Sequence, residues 1–169
     1  MHIRPLSIGA ALAAGLFATA TTAQSPGEMT IAIDGNDPDV LTVTVNEWNG
    51  VERQPWIWID TVAPGENSRD RLSVGLHFAA VDWVASEPEL TLLRFEDGEV
   101  TQRLWAFGEP ERGGLTVTIE SHALDGRELT LTGHFEGTLG TSRTKGREVD
   151  LSEGLPVSGT FSVMLVEQD

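Results

Sequence analysis

Leu115-Thr116-Val117-Thr118-Ile119-Glu120-Ser121-His122-Ala123-Leu124-Asp125-Gly126-Arg127-Glu128-Leu129-Thr130-Leu131-Thr132-Gly133-His134-Phe135 is the stretch whose reading decides the fold. Apolar and polar residues alternate on either side of Asp125-Gly126, the period of a strand with one buried face, and Asp-Gly is a hairpin signal. Directly opposite residues of an antiparallel pair share a face. A two-residue loop pairing Leu124 with Arg127 sets Ile119 against Thr132 and mixes the faces. A three-residue loop, Leu124-Asp125-Gly126, with Gly126 left-handed, sets Ile119 against Leu131, Val117 against Gly133 and Leu115 against Phe135. The other face then carries Thr118 with Thr132, Glu120 with Thr130 and His122 with Glu128. The expectation is a hairpin with one core face and one wet face.

Working outward, the same period recurs at Met29 to Ile33, Val40 to Asn46, Trp56 to Val62, Leu72 to Trp83, Leu90 to Phe95, Val100 to Phe107, Leu115 to His122, Leu129 to Leu139 and Gly159 to Val166. Turn-forming clusters separate them, among them Asp34-Gly35-Asn36-Asp37-Pro38, Asp97-Gly98 and the run from Gly108 to Gly114. No window carries a helical apolar stripe. The predicted fold is all-β, an antiparallel β-sandwich of roughly eight to nine strands with a small barrel as the other closed solution.

The closing third holds a short echo. Leu131-Thr132-Gly133-His134-Phe135 and Val157-Ser158-Gly159-Thr160-Phe161 are in step, each with a Gly two residues before a Phe. Two similar strands with a closely packed neighbour at Gly and a core-facing Phe fit this pattern. With its Gly-x-Phe strands flanking a polar excursion from Gly140 to Gly154, this third resembles small exported bacterial β-sandwich proteins of unknown function. The resemblance implies an exported sandwich and brings no catalytic residues with it.

Residues 1 to 23 read as a secretory signal: His2 and Arg4 precede an apolar run from Leu6 to Phe17, and Ala18-Thr19-Ala20 or Thr21-Thr22-Ala23 offers a cleavage site. The mature domain is then 24 to 169, expected in the periplasm or outside the cell. The 169-residue chain has 26 acidic and 11 basic residues, and losing Arg4 moves the formal charge from -15 to one unit more negative. Such a chain repels nucleic acid and anionic lipid, and no integral membrane segment remains after the signal. A barrel of the outer membrane is disfavoured by the lack of Tyr and by the charged ending Val166-Glu167-Gln168-Asp169. No Cys is present, which excludes disulfides, thiolate metal sites, cysteine catalysis and a lipid-modified N-terminus. The basic residues are Arg apart from Lys145, which suits ion pairing in a salty habitat.

Most chemical constellations fall short. His77, His122 and His134 are placed on polar sides of their strands, with His122 and His134 too far apart in the expected register to share zinc. Asp34 to Asp39 offers oxygen ligands for calcium but equally suits a tight turn, so the metal question stays open. Ser142-Arg143-Thr144-Lys145 matches a Ser-x-x-Lys pattern only by accident, in a polar loop. No catalytic residues and no cofactor are expected.

Trp56-Ile57-Trp58-Ile59-Asp60 is the informative motif. Its indoles share one face and its isoleucines the other, so one pair must leave the core unless both faces are covered. Outward indoles beside carboxylates form a platform for stacking a sugar ring. The chain is therefore expected to be a non-enzymatic binding or scaffold domain with a glycan or protein partner. Its alternatives are a carbohydrate-binding module using Trp56 and Trp58, and a small hydrolase whose site the sequence does not locate.

Overall fold

The computed structural model describes residues 26–65 and 67–168; the expected signal at 1–23 lies outside them. Among the described residues nine strands follow one another: β1 (Gly27–Ile33), β2 (Asp39–Val51), β3 (Gln54–Pro64), β4 (Arg71–Val81), β5 (Val84–Glu96), β6 (Glu99–Phe107), β7 (Thr116–Asp125), β8 (Glu128–Thr141) and β9 (Asp150–Glu167). A three-residue 3-10 turn, Pro110–Arg112, precedes β7. No helix among them is long and apolar enough to cross a membrane.

All nine strands join one sheet in the order β1-β9-β2-β3-β4-β5-β6-β8-β7, and a further β9–β8 pairing closes the ladder into a ring. Neighbours run antiparallel except β2 and β9, which are parallel at Glu47↔Val166 and Trp48↔Glu167. The all-β expectation is what the strands show, and the expected antiparallel pairing holds everywhere except at the parallel β2–β9 contact. Two separate sheets are not seen, because the hydrogen-bonded ladder is continuous.

Alternation decides which side each residue takes. Ile57 and Ile59 of β3, Val74 and Leu76 of β4, Leu90 and Leu92 of β5 and Leu129 and Leu131 of β8 are all 0% exposed and point into the ring. Each such side chain contributes about 1.5–3 kcal/mol through burial. The outward positions are largely polar, the reverse of a membrane barrel, whose apolar band faces lipid. Thr61, buried among the apolar residues, is satisfied by donating its hydroxyl to the Val74 carbonyl at 2.9 Å.

The echo of Gly-x-Phe has a geometric basis. β8 and β9 are antiparallel with Gly133 opposite Phe161 and Phe135 opposite Gly159. Each Phe ring lies over the other strand's glycine: a Cβ on Gly133 would meet Phe161 Cζ, and one on Gly159 would meet Phe135 Cζ. The two rings thus fill the space that the two missing side chains leave.

The hairpin register differs from the expected one. The turn is Gly126-Arg127, with Asp125 opposite Glu128 and Leu124 opposite Leu129, and the register shifts between Ile119 and Ser121. Glu120 is the extra residue of a β-bulge. The bulge resets the alternation, so Ile119 faces Gly133 and Val117 faces Phe135 on the core side without the three-residue loop. It also moves His122 from its expected polar side to a place opposite Leu131. There the imidazole stacks on Trp83 with ring centroids 3.9 Å apart. Trp83 itself ends no strand: Asp82 and Trp83 have φ of 50° and 66° and form the turn between β4 and β5, which stops β4 at Val81.

Candidate functional site

The five central strands place a row of outward residues side by side. Glu47 of β2 lies opposite Trp58 of β3, Trp58 opposite His77 of β4, His77 opposite Glu89 of β5, and Glu89 opposite Phe107 of β6. A second row, one pleat along, runs through Val45, Asp60, Gly75, Thr91 and Trp105. Trp56 flanks Trp58 on the other side.

With Ile57 and Ile59 inside, both indoles are on the outer face. Trp56 is 39% exposed and Trp58 half-buried. Their ring centroids lie 6.3 Å apart with planes 28° from parallel, so together they present a nearly continuous apolar surface. Beside them Asp60 Oδ1 and His77 Nε2 are 3.0 Å apart. Gly75, directly opposite Asp60, makes that pairing possible: a Cβ there would stand 2.6 Å from Asp60 Oδ1 and 3.3 Å from His77 Nε2. Glu89 comes next, its carboxylate accepting a long hydrogen bond of 3.4 Å from the Thr91 hydroxyl.

β5 carries a bulge where this row crosses it. The register with β4 shifts between His77 and Ala79, so Glu87 and Pro88 together face Phe78. Glu87 has φ of 50°, and Pro88, which lacks an N–H for the ladder, sits where no ladder bond is needed. Alternation alone places this strand at Leu90 to Phe95; the bulge lets it continue back through proline to Val84.

The far end of the row is shaped by Arg112 and by the connection between β8 and β9. The Arg112 guanidinium lies 3.7 Å over the Phe107 ring, donates to both Glu109 carboxylate oxygens and gives Nη2 to the Gly146 carbonyl at 2.8 Å. Gly146 packs against Phe107 and Trp105, and Trp105 is only 7% exposed. Within this connection Ser142 accepts from the N–H groups of Thr144 and Gly146, a turn-forming role for the serine of the Ser-x-x-Lys tetrapeptide. Asp150, where β9 begins, is held below the usual carboxylate range by the backbone N–H and then the hydroxyl of Ser152.

The other polar clusters are scattered. His134 pairs with Glu120 at 2.9 Å on the outer side of the β7–β8 hairpin, remote in sequence and strand from His77. Asp34 and Gly35, with φ of 55° and 72°, form a tight turn whose Asn36 amide donates to the Ile33 carbonyl. Among the described residues no three His, Asp or Glu side chains are grouped to hold a metal ion.

Of the site residues, Trp56, Trp58 and Asp60 follow from alternation in one strand. His77, Glu89 and Phe107 join them only through the registers of three further pairings, which a single sequence does not reveal. Comparison with known protein families, curated proteins and solved structures finds no match to this chain.

Proposed function

We propose that this protein is an exported, non-enzymatic binding domain of the periplasm or cell exterior, and that it holds a glycan on Trp56 and Trp58. The observation that carries the reading is the outward placement of both indoles beside Asp60, His77 and Glu89, while Ile57 and Ile59 take the core. Sugar rings stack their C–H faces on indole, and carboxylate and imidazole groups bond the hydroxyls around the rim. With the imidazole N–H donated from Nε2 to Asp60, Nδ1 can accept from a ligand hydroxyl. The kinship proposed with small exported bacterial proteins fits this reading, as does an architecture of two packed layers. Phe78 of β4 and Phe161 of β9, strands that are not neighbours in the ladder, meet across the core with centroids 6.1 Å apart.

Tryptophan fluorescence titrated with an oligosaccharide panel tests the ligand class. Trp58→Ala is expected to lower affinity by about tenfold, the loss of one aromatic stack, with little change in melting temperature. A variant that binds as well as the native chain would sink the platform. N-terminal sequencing of the protein recovered from its host tests export, which requires a start near residue 24.

A further inference from the structure

We propose that the Trp platform is one end of a linear track for an amino-sugar oligosaccharide, running across the strands from Trp58 through His77 and Glu89 to a cleft at Phe107. This rests on the glycan reading above and adds length and charge to it. Trp58, His77, Glu89 and Phe107 are directly opposite one another on four adjacent strands. Three interstrand steps span about 14 Å, the length of a short oligosaccharide and not of one ring. The Trp58 indole stands at one end and the Phe107 ring, with the Arg112 guanidinium over it, at the other, and hydrogen-bonding groups occupy the middle.

Beyond Glu89 the row opens into a cleft of about 720 Å³ whose walls include Glu87, Pro88, Phe107, Gly108, Glu109 and Arg112. The β5 bulge supplies one wall and the 3-10 turn the other. The charges in this region do not cancel. Arg112 is committed to Glu109 and the Gly146 carbonyl. Among the described residues no cation lies within ion-pair distance of Glu89 in the row or of Glu87 in the cleft wall, so neither carboxylate has a cationic partner. On a chain of net charge -15 such a track repels uronate or sulfated glycans and complements protonated amines. Glu89, between the two aromatic ends, is placed to receive the ammonium of a central sugar.

Calorimetric titration of the full mature protein with glucosamine oligomers from dimer to hexamer, with their N-acetylated counterparts, with galacturonate oligomers and with oligolysine tests the track. Affinity for glucosamine oligomers is expected to climb about tenfold from dimer to tetramer as the second aromatic end is reached. Glu89→Gln should remove most of the preference for the amine over the N-acetyl series, with the amine series losing several times more affinity than the N-acetyl series; an equal loss in both would overturn the ammonium contact. Phe107→Ala should weaken tetramer binding and spare the dimer. Phe107→Leu, which keeps apolar bulk beneath Arg112, serves the same comparison if the alanine variant fails to fold.

A dimer that binds as tightly as the hexamer overturns the track while leaving the Trp platform intact. Equal affinity for N-acetylated or galacturonate oligomers overturns the charge assignment, and equal affinity for oligolysine overturns the sugar. No fluorescence or heat response to any oligomer removes the platform and the track together.

Discussion

Gly75 has no side chain, and the candidate site depends on it. The space above it is where Asp60 leans across to meet His77. A methyl at this position would displace the carboxylate, which is a side-chain end on the outer face, so the expected stability loss for Gly75→Ala is within about 1 kcal/mol. Glycan affinity should nevertheless drop severalfold in the same variant, and a titration showing no change would separate the Asp60–His77 pair from binding. The Trp-x-Trp-x-Asp triplet was readable in the sequence because a strand's period of two puts all three on one side. Gly75 and His77 were not, since their contribution comes from facing a strand that lies elsewhere in the chain. The Arg-rich composition also gains a residue-scale reason. Arg71 lies 3.8 Å over Phe95, and Arg112 lies 3.7 Å over Phe107. Flat guanidinium groups cover outer-face rings in a way that a Lys ammonium does not.

At the scale of elements, β8 and β9 are held together by an exchange of shapes. Gly133 receives Phe161 and Gly159 receives Phe135, so the short echo in the sequence is the mark of a two-way packing contact. Gly133→Ala and Gly159→Ala are each expected to destabilise by about 1–3 kcal/mol, since the new methyl meets a ring on one side and a backbone carbonyl on the other. Urea unfolding of Gly133→Ala, Phe161→Leu and the double variant checks it. The pair should couple by at least about 0.5 kcal/mol, and strictly additive losses would contradict the contact. Strand existence was legible here from alternation alone, and the register of the neighbouring hairpin was not. One bulge at Glu120 shifts every residue after it to the opposite face, which is why His122 reaches Trp83. The only trace of this bulge in the sequence is a change of phase, from Leu115, Val117 and Ile119 to Leu124, which a loop containing Leu124 explains equally well until the pairing partner is seen. The same bulge falls in β7, which stands at one end of the strand order, and a kinked, charged edge resists pairing with a second chain.

The chain has 26 acidic against 11 basic residues, and among the described residues no charged side chain is buried, so the imbalance is carried at the surface. Self-repulsion of this kind opposes the compact state and is screened by salt. Urea midpoints should therefore rise between low and physiological sodium chloride, with about 3 °C of melting temperature for each kcal/mol gained. A midpoint that ignores salt would show that the surface charges are already locally balanced. The closed ring also governs when the protein can fold. β1, besides its hairpin with β2, and the end of β2 both pair with β9, which follows them only after the six strands β3 to β8, and Gln168 donates its backbone N–H to the Trp48 carbonyl across that seam. β1 and β2 must wait for β9 before the edges at this seam are covered, the kind of long-range closure that slows folding. The C-terminal strand is a clasp, and a chain exported as proposed could be threaded through a narrow channel in an open state before it snaps shut.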